Sequence, residues 1–198
     1  MKRTHRPDVL CWSRFDAARD IDFNSYAWMR PSGAVLFDPL PLSEHDRAQL
    51  SDVAWIVVSN GDHVRAAADL AEVFGAPLAG PSREKGSLGL DCARWLEEGD
   101  MLVDGLVTLE MHGSKTAGEL AFVLEETTLI TGDLVRSHSG GALDHLPLPK
   151  LADPERAFES IRALARRPRI EAVLVGDGWP VFREGRARLE ELVATLPG

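Results

Sequence analysis

Acidic and imidazole side chains follow three short apolar runs of the sequence. Asp62 and His63 come after the first run, Asp133 after the second and Asp177 after the third. Carboxylates and imidazoles coordinate divalent cations and also move protons, so these residue types can support metal or acid–base chemistry. Aspartate is equally common in tight turns and at helix N-termini. Taken one at a time, the three segments are ordinary loops, and their function depends on the elements that position them.

Each of these loops lies at the end of a predicted buried strand. The apolar runs at 54–58, 128–131 and 172–175 have the length of strands and are too short for helices. Apolar residues at helical spacing follow from 64 to 74 and stop at Gly75, so 59–63 must join a strand to a helix. Loops of this kind commonly carry functional residues.

The remaining segments alternate between strand and helix patterns along the whole chain. Asp153-Pro154-Glu155 combines a cap, a first-turn proline and an early acidic residue, which predicts a helix start. We also predict a hairpin of 24–30 and 34–39 around a turn at 31–33, a short helix from 43 to 50, strands at 106–111 and 120–124, and a final helix over 186–196. Interspersed elements without a linker favour one mixed α/β domain over residues 1–198.

Composition narrows the class of protein. The chain has 198 residues, of which 44% are hydrophobic and 27% charged, as in ordinary folded domains. Its net charge of -9 argues against nucleic acid as a partner and favours a small-molecule substrate or ligand. Its apolar runs are too short to span a membrane, and Cys11 and Cys92 form no disulfide framework, so we expect a cytoplasmic location.

The order of the polar motifs resembles that of the metallo-β-lactamase superfamily, which includes glyoxalase II-type thioesterases. In that family a strand leads into His-x-His-x-Asp-His, a Gly-His-Thr-x-Gly turn adds a histidine, Thr-Gly-Asp adds a bridging carboxylate, and Gly-His-Gly supplies the last ligand. The corresponding segments here are Ser59-Asn60-Gly61-Asp62-His63, His112-Gly113-Ser114-Lys115-Thr116-Ala117-Gly118-Glu119, Thr131-Gly132-Asp133 and Gly176-Asp177-Gly178. Segments 22–26 and 35–39 also resemble the family's N-terminal hairpin and acidic turn. The resemblance covers most of the chain and implies a four-layer αβ/βα sandwich with two mixed β-sheets flanked by helices.

Several positions depart from the family pattern. Val58 and Asn60 stand where the first two histidines are expected, Lys115 replaces the third, and Asp177 replaces the last. Valine cannot coordinate a metal, and an ammonium group donates protons instead of a lone pair. The resemblance therefore implies a degenerate site with at most one divalent metal. His112 is the alternative donor for the position of Lys115.

The ligand set that the resemblance implies is Asp62, His63, Asp133 and Asp177. Three carboxylates and one imidazole suit manganese or iron as well as zinc. We expect one divalent metal or none. In this interpretation Asn60 or Lys115 polarises the carbonyl oxygen of a substrate, and the Lys115 ammonium also partly neutralises Asp133.

The predicted function is a hydrolase-type activity on a small ester, thioester or lactone. The alternative is a non-catalytic, metal-free relative that binds a metabolite or partner in the same cleft, with Lys115 and Asn60 satisfying the buried carboxylates. A third alternative is redox chemistry at an iron site. The two leading hypotheses differ in whether a chelator lowers thermal stability.

Overall fold

The computed structural model describes residues 1–197 and contains two mixed β-sheets, a short β-ribbon and four α-helices. The strands are β1 Lys2–Arg3, β2 Val9–Asp16, β3 Ile21–Trp28, β4 Ala34–Phe37, β5 Val53–Val57, β6 Leu78–Pro81, β7 Arg94–Leu96, β8 Leu106–Glu110, β9 Leu120–Leu124, β10 Thr128–Thr131, β11 Val135–Arg136, β12 Asp144–His145 and β13 Ala172–Val175. The helices are α1 Glu44–Arg47, α2 Ala67–Phe74, α3 Pro154–Ala165 and α4 Gly185–Thr195. The expected α/β class with two mixed sheets is confirmed.

The chain divides into two compact units, Met1–Trp95 and Leu96–Gly198. The single domain expected over 1–198 stays a prediction. Each unit has its own sheet and its own cluster of buried apolar side chains. None of the helices within residues 1–197 is long and apolar enough to cross a membrane.

The first unit is built on a seven-stranded sheet with the order β1-β2-β3-β4-β5-β6-β7. The predicted hairpin forms between β3 and β4, which pair antiparallel, and Gly33 adopts a positive φ of 102° in its turn. Strand β5 lies parallel to β4, with Phe37 opposite Val57. Because both strands end at the same edge of the sheet, the residues that follow Phe37 and Val57 emerge side by side.

The second unit is built on a four-stranded sheet with the order β13-β10-β9-β8. Strands β10 and β13 are parallel, with Thr131 opposite Val175, so the loops that begin at 132 and 176 leave the same edge. Helix α3 begins as predicted, because the Asp153 side chain accepts a hydrogen bond from the amide of Arg156 and Pro154 occupies the first turn. Helices α3 and α4 contribute Ile161, Leu189 and other apolar side chains to the core of this unit.

Candidate functional site

The loop after β5 is held by hydrogen bonds to its own backbone. The Asn60 side chain caps a single 3-10 turn, Gly61–His63, by accepting a hydrogen bond from the amide of Asp62 at 2.9 Å. This turn presents Asp62 at the surface and directs His63 inward, where only 4% of the residue is exposed. The predicted role of Asn60 in polarising a carbonyl group stays a prediction; its observed contact is a helix cap.

The His63 imidazole is bonded to a carboxylate that sequence reasoning had assigned only to an acidic turn. Asp38 directly follows β4, and its Oδ2 lies 2.8 Å from Nδ1 of His63. The same carboxylate accepts hydrogen bonds from the Ser59 amide and the Ser59 hydroxyl, each at 2.7 Å. Asp38 is 4% exposed, and Ser59 is 2% exposed. Parallel pairing of β4 with β5 therefore assembles a buried Asp–Ser–His cluster.

Asp38 is ionised in this cluster. Burial by itself would raise the pKa of Asp38, but the His63 charge and hydrogen bond, the Arg65 charge and the Ser59 hydrogen bond together hold that pKa below the ordinary value of 3.8. A carboxylate only accepts hydrogen bonds, so Nδ1 of His63 must carry a proton. When this imidazole is neutral, its lone pair is on Nε2, which is the tautomer required of either a metal ligand or a general base.

Two further charged residues, Arg65 and Glu84, lie close to this loop. No local sequence pattern had indicated either of them. The Arg65 guanidinium donates to the backbone oxygen of Asp38 at 3.0 Å and to that of Asn24 at 2.5 Å. Arg65 itself has a positive φ of 40°. On the other side, a β-carbon added to Gly61 would lie 2.7 Å from Oε2 of the buried Glu84. A larger residue at position 61 would therefore require the Glu84 side chain to shift.

In the second unit, Lys115 and Asp133 form an ion pair. Nζ of Lys115 lies 3.2 Å from Oδ2 of Asp133, whose side chain is 3% exposed. The structure thus brings together two of the residues singled out in the sequence, and the ammonium lies where it neutralises the carboxylate. Its predicted role in polarising a substrate carbonyl stays a prediction.

Asp177 has a different cationic partner. Nη2 of Arg136 lies 2.5 Å from Oδ2 of Asp177, and the two side chains are 10% and 4% exposed. Sequence reasoning missed Arg136. The available signal was that this arginine directly follows the apolar residues at 134–135. An unpaired charge beside buried apolar residues would be costly.

His112 contacts a different set of residues. Its Nε2 lies 3.7 Å from Oε2 of Glu110, and its amide donates to the Ser160 hydroxyl at 2.9 Å. It lines a cavity of about 350 Å³ together with Glu98, Glu159 and Arg166. The carboxylate beside His112 is thus that of Glu110, whereas Asp133 is paired with Lys115.

The observed donors do not fit a divalent cation as they stand. Within residues 1–197, no three histidine, cysteine, aspartate or glutamate side chains gather so as to hold a metal ion. Lysine and arginine bind the carboxylates of Asp133 and Asp177, and a cation added to either carboxylate would meet a fixed positive charge. The four-residue metal site stays a prediction, and no chemical step below depends on it.

Comparison with known proteins gives a consistent family assignment and fold. A family model described as the metallo-beta-lactamase superfamily matches residues 1–196. Among solved structures, a metallo-beta-lactamase from Pontibacter korlensis is 15% identical with a TM-score of 0.75, covering 96% of this chain and 94% of that one. FIM-1 from Pseudomonas aeruginosa, in a mono-zinc form, is 15% identical with a TM-score of 0.68, covering 94% and 90%.

A metallo-beta-lactamase family protein from Thermus thermophilus is similar to the same extent. It is 17% identical with a TM-score of 0.68, covering 96% of this chain and 79% of that one. No curated protein sequence matches the chain. At these identities the structural neighbours establish the fold, and the reaction must be argued from the side chains described above.

Proposed function

Because the chain belongs to the metallo-beta-lactamase superfamily, we propose that it is a hydrolase-type protein that acts on a small ester, thioester or lactone with His63 as general base. The observation that carries this proposal is the 2.8 Å hydrogen bond between Nδ1 of His63 and the buried Asp38 carboxylate. An acidic residue that orients a histidine through one ring nitrogen prepares the other nitrogen for proton transfer.

In the proposed reaction, Nε2 of His63 removes a proton from the attacking water. The water oxygen bonds to the acyl carbon as the proton moves, and the imidazolium then returns the proton to the alcohol or thiol that leaves. The ionised Asp38 stabilises the imidazolium between these two steps, because the opposite charge lies within hydrogen-bond distance. The Ser59 hydroxyl helps to fix the position of the Asp38 carboxylate by donating a hydrogen bond to it.

Turnover of an aryl acetate, an acyl thioester and an aliphatic lactone tests the proposal. We expect kcat/KM to fall on the order of 10²- to 10⁴-fold in His63→Gln. His138→Gln is the matched control, since His138 is exposed and far along the chain from this cluster. Equal turnover in the two variants, or no turnover of any substrate by the unaltered protein, would refute the proposal.

A second candidate is the metal-free relative that binds a small molecule without reaction. The pairing of three buried carboxylates favours it, since Asp38 contacts His63, Asp133 contacts Lys115 and Asp177 contacts Arg136. Such a protein shows no turnover with the three substrate types, yet its melting temperature rises when it is screened against small metabolites. Turnover that depends on His63 rejects this candidate.

A further inference from the structure

Asp133 and Asp177 have buried side chains, and each contacts a cationic side chain of this chain. The residues are 2% and 3% exposed, so water contributes little to the solvation of either charge. A carboxylate removed from water must be paired with a cation or must take up a proton. Here Asp133 contacts the Lys115 ammonium and Asp177 contacts the Arg136 guanidinium.

The buried Glu119 side chain fixes the loops that carry the first of these pairs. Glu119, which is 1% exposed, accepts a hydrogen bond from the Ser114 hydroxyl through Oε2 and one from the Leu134 amide at 2.8 Å through Oε1. Ser114 precedes Lys115, and Leu134 follows Asp133. One buried carboxylate therefore holds together the two loops that carry the ion pair, so the contact does not depend on the flexible lysine chain alone.

Main-chain hydrogen bonds and a close backbone approach fix the second pair. The Ser137 amide donates to the oxygen of Asp177, and the Trp179 amide donates to the oxygen of Ser137, both at 3.1 Å. A β-carbon on Gly178 would lie 1.6 Å from that Ser137 oxygen, so only glycine allows this approach. Asp177 is itself bonded to Ser137, and Arg136 directly precedes Ser137, so Arg136 and Asp177 are held beside each other.

From these contacts we infer that Lys115 and Arg136 stand in for bound metal ions, so that the folded protein carries two fixed cations and needs no metal. Each cation contacts one oxygen of a buried aspartate, Lys115 from the loop between β8 and β9 and Arg136 from strand β11. This inference does not depend on turnover, because it concerns how the buried carboxylates of the second unit are neutralised.

The first measurement is the metal content of untagged protein by plasma mass spectrometry, with thermal unfolding in the presence of EDTA or added zinc. We expect metal far below one equivalent and a melting temperature that neither reagent changes. Stoichiometric metal whose removal by EDTA lowers the melting temperature would overturn the inference, whether or not the protein hydrolyses any substrate.

The second measurement removes the proposed cations. Arg136→Met should lower the melting temperature by roughly 10 °C, because the buried Asp177 carboxylate loses its contact with the guanidinium. Arg186→Met is the matched control, since Arg186 makes a comparable contact with Glu190 at 2.8 Å while about half exposed. The double variant Arg136→Met/Asp177→Leu should recover most of the loss, because it removes both charges. Failure of the double variant to recover stability would count against a counter-ion role.

The Lys115→Met variant provides a separate test in case Arg136→Met does not fold. Lys115 is 27% exposed, so we expect a smaller loss of melting temperature that still exceeds the effect of Lys150→Met at an exposed position. Addition of zinc or manganese should stabilise Lys115→Met more than the unaltered protein, because a carboxylate has lost its fixed partner. Equal behaviour of Lys115→Met and Lys150→Met would contradict the inference.

Discussion

Replacing Asp38 by asparagine reverses the hydrogen bonding around His63 with almost no change in shape. The Asp38 carboxylate accepts three hydrogen bonds, two from Ser59 and one from Nδ1 of His63. An amide has one acceptor oxygen and a donor NH₂ group. If the asparagine oxygen keeps its hydrogen bond from the Ser59 amide, the asparagine NH₂ group faces Nδ1 of His63. Nδ1 must then become an acceptor. The proton therefore moves to Nε2, the nitrogen that the proposed reaction needs as a base.

The size of the effect follows from the bonds that change. All three charge-assisted hydrogen bonds become neutral ones, and each loses on the order of 1 kcal/mol. Arg65 also loses the charge that partly balances it, so we expect Asp38→Asn to lower the free energy of unfolding by about 2 to 4 kcal/mol. Turnover should fall far more than stability, on the order of 10³-fold or greater, because the tautomer is wrong for proton abstraction.

Long-range ¹⁵N–¹H correlation spectra report the protonation of each imidazole nitrogen, and urea denaturation gives the free energy of unfolding. Asp144→Asn is the control for the loss of one negative charge, since Asp144 is exposed on β12. The reasoning is refuted if Nδ1 of His63 keeps its proton in Asp38→Asn, or if that variant is as stable as Asp144→Asn.

Three further predictions concern acid stability, thiol reactivity and backbone packing. Because the pKa of Asp38 lies below 3.8 in the folded protein, its ionised form stabilises the fold at higher pH, and urea denaturation at a series of pH values should show this contribution disappearing as the pH falls through the folded value. Burial raises the pKa of Cys92 to about 11, so iodoacetamide should alkylate this thiol at neutral pH only after urea unfolds the chain. Gly178→Ala should destabilise the protein by more than about 3 kcal/mol in urea denaturation, because its β-carbon would overlap the Ser137 oxygen, whereas Gly86→Ala has a similar φ and open space and should lose only the strain, about 1 kcal/mol.

Local patterns in the sequence predict the elements whose first or last residues are typical of helix starts and ends. The Asp153-Pro154 start of α3 and the left-handed Gly75 that ends α2 both lie where the sequence places them. Strand β2, Val9–Asp16, was not predicted, because Ser13, Arg14 and Phe15 are exposed and interrupt the apolar alternation that marks a half-buried strand. Its antiparallel pairing with β3 over eight residues stabilises it instead.

The candidate site shows the same division between local and distant information. Asp62, His63, Asp133 and Asp177 were found from loops that directly follow buried strands, which is a local signal. The partners of two of them, His63 and Asp177, were not predicted, because Asp38 is 25 positions from His63 and Arg136 is 41 positions from Asp177. Strand pairing brings such residues together, and no short window of sequence contains both members of a pair.

The loop that carries Lys115 rests on the beginning of helix α3. The amides of Ala152 and Asp153 donate to the oxygens of Ser114 and Gly113, and a β-carbon on Gly113 would lie 2.1 Å from the Asp153 oxygen. The path of this loop is therefore set by main-chain contacts in which the side chain at 115 takes no part. Evolution, or an engineer, can exchange that side chain among lysine, histidine or a neutral residue while the scaffold is inherited intact. A fold with this arrangement can gain or lose a catalytic activity through a single substitution. Homologous proteins that share it can therefore differ in activity while they keep the same fold.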